Sequence, residues 1–261
     1  MVKIYYFSAT GNSLWSAKMI KQGIENAPFA NGQVDLINIG VEAQKSEIII
    51  EADAVIIVFP SYAFGLPLIV RKFVQKAVFK TPYLAAFVTF GSKPLGTLGE
   101  LRSILKRKKI GKMFFGNIPA VENYLAMFGP PKEETIQKRT LAQRNATDQA
   151  VSAILEQKEN RVNTFVPFSA FVSCLFKYAA LKIFYKSYRV GDNCDGCAVC
   201  ERICPVNAIV MKEGRPLFTS ICEHCQGCVD ICPKRAIRFW RVKFGTPGYC
   251  HPEIKIEDLV R

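Results

Sequence analysis

The sequence predicts an α/β protein: a doubly wound, five-stranded parallel sheet followed by a small α+β domain rich in cysteine. Three observations carry this. Short apolar strand patterns alternate with helical ones over residues 1–160, the alternation that builds a parallel sheet covered by helices on both faces. The central strand patterns are apolar throughout, as strands buried on both faces are. Eight of the ten cysteines then crowd into residues 194–232.

The first strand is Val2–Phe7, rich in β-branched and aromatic residues. The turn Ser8-Ala9-Thr10-Gly11-Asn12-Ser13 follows, and a helix from Leu14 to about Gly23. A strand, a hydroxyl-bearing glycine turn and a helix N-terminus make an anion site, because backbone N–H groups and the helix dipole face the ligand together. Further strands are expected at Val34–Ile39, Ala54–Phe59, Leu84–Phe90 and Met113–Ala120, with helices at Leu66–Lys76, Leu98–Lys108 and Glu133–Glu159.

The turn lacks the lysine of a Walker motif and is not GxGxxG. It resembles the phosphate loop of the flavodoxins, S/T-x-T-G-N-S/T, and the element order of residues 1–160 agrees. The resemblance implies the strand order 2-1-3-4-5, with FMN at the strand ends. Its ribityl phosphate would lie on Ser8, Thr10, Gly11, Asn12 and Ser13. The loops after the third and fourth strands would clasp the isoalloxazine through Pro60, Ser61, Tyr62, Ala63, Phe64 and Gly65 and through Thr89, Phe90, Gly91 and Gly96. Tyr62 and Phe64 would offer an aromatic face, and backbone amides near Gly91 and Gly96 the polar contacts. Lys93 is either a charge tuning the flavin or a solvated side chain.

The cysteines fall into two runs, Cys194-x2-Cys197-x2-Cys200-x3-Cys204-Pro205 and Cys222-x2-Cys225-x2-Cys228-x3-Cys232-Pro233. This is the spacing of bacterial ferredoxins with two [4Fe–4S] clusters, in which each fourth cysteine ligates the other cluster. Structural zinc sites also use C-x2-C steps, but not this doubled run. The resemblance covers residues 191–240. It assigns Cys194, Cys197, Cys200 and Cys232 to one cluster, and Cys222, Cys225, Cys228 and Cys204 to the other, with each fourth thiolate starting a helix. Gly196 and Gly227 are expected where the loops turn sharply. Ala208-Ile209 and Ala236-Ile237 repeat after the two runs, the mark of an internal duplication. Cys174 and Cys250 read as packing residues, and His224 as a solvent-exposed spacer.

Over its full length the chain resembles the anaerobe proteins that fuse a flavodoxin-like domain to a two-cluster ferredoxin. The implied organisation is an FMN domain at 1–160, an apolar helical linker at 161–190, a ferredoxin domain at 191–240 and a tail at 241–261. Asn123-Tyr124 would lie near the cofactor mouth. The expected function is electron transfer between FMN and two [4Fe–4S] clusters, linking one-electron and two-electron partners. Two rivals stand beside it: an FMN-dependent reductase of a small organic substrate fed by the clusters, and a maturation or interaction protein with clusters only. With two histidines, the chain has little material for a hydrolytic triad.

There are 35 Lys and Arg against 22 Asp and Glu, a formal charge of +13. Arg102, Lys106, Arg107, Lys108, Lys109 and Lys112 cluster at one helix end, either as a solvated terminus or as a dock for an acidic redox partner. No nucleic-acid motif accompanies the charge, so no nucleic-acid partner is expected. Residues 164–188 are apolar and aromatic but interrupted by Lys177 and Lys182. A helix wedged between domains is the plain reading, and peripheral membrane contact the alternative. No uncharged run is long enough for a transmembrane span, and the N-terminus does not read as a secretory signal. A cytoplasmic setting is expected, where thiols stay reduced for metal.

Overall fold

The computed structural model describes residues 1–27, 32–163, 185–219 and 222–261. Strands β1 (Val2–Tyr6), β2 (Val34–Asn38), β3 (Ile49–Glu51), β4 (Ala54–Pro60), β5 (Val78–Phe90) and β6 (Ile110–Pro119) form one sheet. Every pairing is parallel: β2 with β1, β1 with β4, β4 and β3 with β5, and β6 with β5.

The sheet has six strands, not the predicted five. The additional β3 pairs Ile49–Glu51 with Val78–Lys80, in the same register that β4 resumes at Ala54 opposite Tyr83. It therefore extends the β4 edge across a break at Ala52–Asp53. The sequence pattern places the start of the fourth strand at Leu84, two residues after Pro82, and proline is foreign to central strands. In the structure β5 passes through Pro82 for 13 residues. Gly111 makes the passage possible: a β-carbon there would lie 2.3 Å from the Pro82 carbonyl oxygen.

Among the described residues, six helices accompany this sheet: α1 (Asn12–Glu25), α2 (Ile39–Glu42), α3 (Leu68–Lys76), α4 (Thr97–Leu105), α5 (Leu125–Phe128) and α6 (Glu133–Leu155). Alternate residues of β4 enter different cores, as the period of a strand requires. Val55, Ile57 and Phe59 pack with Ile69, Val70 and Phe73 of α3 and with Leu98 and Leu101 of α4. Ala54, Ile56 and Val58 pack with Leu14, Trp15 and Ile20 of α1 and with Ala150 and Ile154 of α6. Each such fully buried large side chain contributes about 1.5–3 kcal/mol over exposure.

The cysteine-rich part contains β7 (Tyr188–Val190), α7 (Val199–Arg202), β8 (Ile209–Lys212), β9 (Arg215–Phe218), α8 (Gly227–Asp230) and β10 (Ile237–Phe239). β7 pairs antiparallel with β10, and β8 with β9. Ala208, Ile209, Ala236 and Ile237 are all buried, so the repeated dipeptides occupy equivalent packing positions. The one-turn helices α7 and α8 carry Cys200 and Cys228 and end before Cys204 and Cys232. Each fourth cysteine thus follows a helix instead of starting one.

Of the segment 161–190 expected as a linker helix, residues 164–184 lie outside the described residues, while Tyr185–Ser187 form a 3-10 turn and Tyr188–Val190 strand β7 in place of a helix. No described helix is long and apolar enough to cross a membrane.

Candidate functional site

A cavity of about 350 Å³ opens at the C-terminal ends of β1, β4, β5 and β6, the end where open α/β sheets bind ligands. Its volume lies within the range of small-molecule sites. Ser8, Thr10, Asn12, Ser13, Pro60, Ser61, Tyr62, Ala63, Phe64, Thr89, Phe90 and Gly91 all line it, as do Lys93, Asn123 and Tyr124. Three residues predicted to line it do not. Gly11 stands behind the loop, where a β-carbon would lie 2.9 Å from the His251 β-carbon and 3.1 Å from that of Ile254. A side chain there would collide with the C-terminal tail. Gly65 closes a tight turn by exchanging both backbone hydrogen bonds with Tyr62, and Gly96 is the N-cap of α4.

The Ser8–Ser13 turn is tied down from several sides. Gly11 caps α1 in the left-handed conformation (φ 98°), and no acidic side chain occupies the first turn of the helix. The helix N-terminus therefore keeps its positive character. Ser8 Oγ accepts the Gly11 N–H at 3.2 Å, and Ser13 Oγ meets Thr89 Oγ1 at 2.8 Å. Thr10 Oγ1 accepts from Asn123 Nδ2 at 2.7 Å, which leaves its own hydrogen to donate. The Asn12 side chain is tied at both ends: Nδ2 donates to the Val121 carbonyl at 3.0 Å and Oδ1 accepts from the Tyr249 hydroxyl at 2.8 Å. What faces the cavity from Asn12 is thus a locked side chain, positioning the turn.

The opposite wall is the Tyr62–Gly65 turn, in which Ala63 and Phe64 hold φ of 46° and 61°. Consecutive left-handed residues are costly without glycine and persist where the surroundings fix them. Tyr62 packs edge-on to Phe7 with ring centroids 5.9 Å apart. Glu122 backs Gly91 so closely that a β-carbon there would lie 2.4 Å from Glu122 Oε2. Glu122 Oε1 accepts the Asn123 and Tyr124 N–H groups at 3.2 and 3.3 Å. Met127 and Phe128 form part of the rim, 68% and 56% exposed.

The sequence reading misses the fourth wall. Glu223, His224, Cys225 and Gln226, from the second cysteine run, also line the cavity. His224 is buried, not a solvated spacer, and its ring packs against Tyr188 and Phe239. The sharp backbone turns fall at Gly196 (φ 73°) and at His224 and Gln226 (φ 52° and 60°), not at Gly227. Gly227 is small for another reason: a β-carbon there would lie 3.1 Å from the Ala9 carbonyl oxygen. That glycine, where the first run carries Val199, is the sequence signal that could have revealed the contact.

The eight run cysteines divide between two smaller cavities. Cys194, Cys197, Cys200 and Cys232 line one, and Cys204, Cys222, Cys225 and Cys228 line the other. Each set takes three cysteines from one run and the fourth from the other. The Ala208 and Ala236 N–H groups donate to Cys204 Sγ and Cys232 Sγ at 3.2 and 3.3 Å, a matched pair of contacts. Burial, reinforced by the neighbouring thiols, pushes Cys200 up to about 12 and Cys222 up to about 11. Among the described residues, no group of His, Cys, Asp or Glu is arranged to hold a single metal ion. Cys225 belongs to both its cysteine set and the large cavity. Cys250 packs at the edge of the α1 core, as predicted for a structural thiol, while Cys174 lies outside the described residues.

The tail, which the sequence leaves as an irregular wrap, returns to the Ser8–Ser13 turn. The His251 N–H donates to the Thr10 carbonyl at 2.8 Å, and the His251 ring stacks on Trp15 at 5.0 Å. The Tyr249 N–H donates to Asp230 Oδ1 at 2.9 Å, so one residue fastens α8 and, through its hydroxyl, the turn.

No protein-family model and no curated protein matches the chain. Solved structures similar to it include an FMN-dependent NADH-azoreductase from Bacillus anthracis in complex with FMN, at 9% identity and a TM-score of 0.41, covering 59% of this chain and 99% of that one. Oxidised flavodoxin 2 from Bacillus cereus is 16% identical with a TM-score of 0.39, over 60% of this chain and 99% of that one. A flavodoxin from Streptococcus pneumoniae TIGR4 is 12% identical with a TM-score of 0.38, over the same 60% and 99%. Likeness at this level carries no functional argument, and the site is read from its own residues.

Proposed function

We propose that the chain is an electron-transfer protein in which FMN occupies the large cavity and a [4Fe–4S] cluster each cysteine set. The observation that carries this reading is Cys225, which lines both the large cavity and the second cysteine cavity. FMN exchanges electrons singly or in pairs and each cubane exchanges one, so the three together would join two-electron to one-electron partners.

The residues present fit these groups. Four cysteines round each small cavity suit a cubane, which is too broad to need ligands converging on one ion. The amides of Ala208 and Ala236 would donate to the fourth sulfur of each set, the kind of outer contact that orients ligands and tunes potential. At the large cavity, the α1 N-terminus and the free Thr10 hydrogen would hold a phosphate. Tyr62, Phe64 and Tyr124 would exclude water from the ring, and Lys93 stands exposed at the rim. On this reading residues 1–160 are the FMN domain, 191–240 the cluster domain and 241–261 a tail that fastens one to the other.

One observation favours a second reading. Met127 and Phe128 leave an apolar, open rim, which would also suit a reductase admitting a small organic substrate beside the flavin.

The test is anaerobic purification with flavin and iron analysis. About one FMN and about eight irons per chain are expected. Iron without flavin would leave the cluster-only reading, and neither would remove the proposal.

A further inference from the structure

We infer that the outer face of the β7–β10 ladder docks a small acidic electron-carrier protein, which exchanges electrons at the Cys194, Cys197, Cys200 and Cys232 set. The inference rests on the cluster reading above and adds the partner and its port. Arg189 and Arg238 stand directly opposite each other across the two strands, and both are exposed. Like charges in that relation disfavour a ladder, although Arg189 also donates to the Lys186 and Tyr188 carbonyls.

More cations join the pair. Residues 231–252 contain Lys234, Arg235, Arg238, Arg241 and Lys243 and no Asp or Glu. The nearby ion pairs are Arg215–Asp192 and Lys234–Asp195, which leave Arg189, Arg238, Arg241 and Lys243 without a carboxylate among the described residues. Two aromatic rings lie between them. The Arg238 guanidinium sits 5.0 Å from the Phe244 centroid and that of Arg241 5.1 Å from Trp240. Phe244 is 44% exposed and Trp240 50%. Arginine and exposed aromatic side chains are the residues that anchor protein interfaces.

The location selects the partner. Ile237, the residue before Arg238, lines the first cysteine cavity from the inner face of β10, Lys234 lines it as well, and Cys197 of that set is itself exposed. A carrier held on this face is therefore beside the site, and its negative charge would be steered there. The basic cluster predicted for this role is poorly placed. Lys112 lies near the start of β6, whose other end, Pro119, precedes the cavity residue Ala120, a separation of about 23 Å at strand rise.

The test measures binding of purified acidic bacterial ferredoxin to the anaerobic, iron-replete protein at low and high salt. Vesicles of phosphatidylglycerol and phosphatidylcholine form a parallel arm. Binding that weakens with salt is expected, falling about tenfold or more in Arg238→Glu/Arg241→Glu and less than about twofold in Lys106→Glu/Arg107→Glu. The milder Arg189→Gln/Arg238→Gln pair should weaken binding at native iron content, which separates loss of charge from any folding defect of the reversal. Native-strength binding by the iron-replete Arg238→Glu/Arg241→Glu variant would overturn the inference. So would an equal loss in the Lys106 pair, or capture by vesicles but not by ferredoxin. A native protein devoid of iron would instead remove the cluster reading, and the port with it.

Discussion

Gly227 stands against Ala9, so close that a β-carbon on the glycine would lie 3.1 Å from the alanine carbonyl oxygen and 3.5 Å from its β-carbon. The two residues are the meeting point of the second cysteine loop and the Ser8–Ser13 turn. A valine at 227 must push the loops apart. On the proposed relay, the Gly227→Val protein is expected to bind iron and flavin as the native chain does but to transfer electrons between them more slowly, because the two loops stand farther apart. An unchanged rate would show that this contact does not set the spacing.

Tyr249 gives the same junction a hydrogen bond. Its hydroxyl donates to Asn12 Oδ1 in a buried setting, and Tyr249→Phe leaves that acceptor unpaired. Urea unfolding should show a loss of about 1–3 kcal/mol. FMN affinity should fall with it, because Asn12 also holds Val121 at the cavity wall.

His251 predicts a pH dependence. Burial against Trp15 pulls its pKa down to about 4, with Glu253 opposing and Arg144 adding to the shift. The ring is neutral in the fold, and its Nε2 is buried without a hydrogen-bond partner. A depressed folded value means the contribution is complete above the ordinary value near 6.5 and is lost as pH falls through about 4. His251→Phe, which keeps a ring on Trp15, should flatten the decline in unfolding midpoint between those values. A parallel decline in both proteins would assign it to other groups.

The cysteine sets can be separated by substitution. Cys204→Ser and Cys225→Ser should disturb the same cluster, and the double variant should lose no more iron than the single ones. Cys204→Ser with Cys200→Ser should disturb both. Additive loss from Cys204 and Cys225 would mean that each run holds its own cluster, against the crossed grouping of the cavities.

Local chemistry made much of this legible in the sequence. The apolar run Ala54–Phe59, the glycine turn at Ser8–Ser13 and the cysteine spacing each announce an element or a site within a few residues. Contacts across the chain were not legible. Nothing near His224 shows that Tyr188 and Phe239 will enclose it, and nothing near Gly11 shows that His251 will press on it. That β5 runs on through Pro82 was not legible locally, because the residue that makes room for it, Gly111, sits on a neighbouring strand. Gly227 looked like a turn glycine, yet it is small because Ala9 passes beside it, and Gly11 is a left-handed turn glycine that the tail also crowds.

The central claim is that the large cavity and the cysteine sets form one relay within a single chain. Its most direct test is flash photoreduction of the FMN in the anaerobic protein while following bleaching of the cluster absorption. The account predicts that the clusters are reduced at a rate independent of protein concentration. Bleaching that scales with concentration, or reduced flavin beside clusters that stay oxidised, would contradict it.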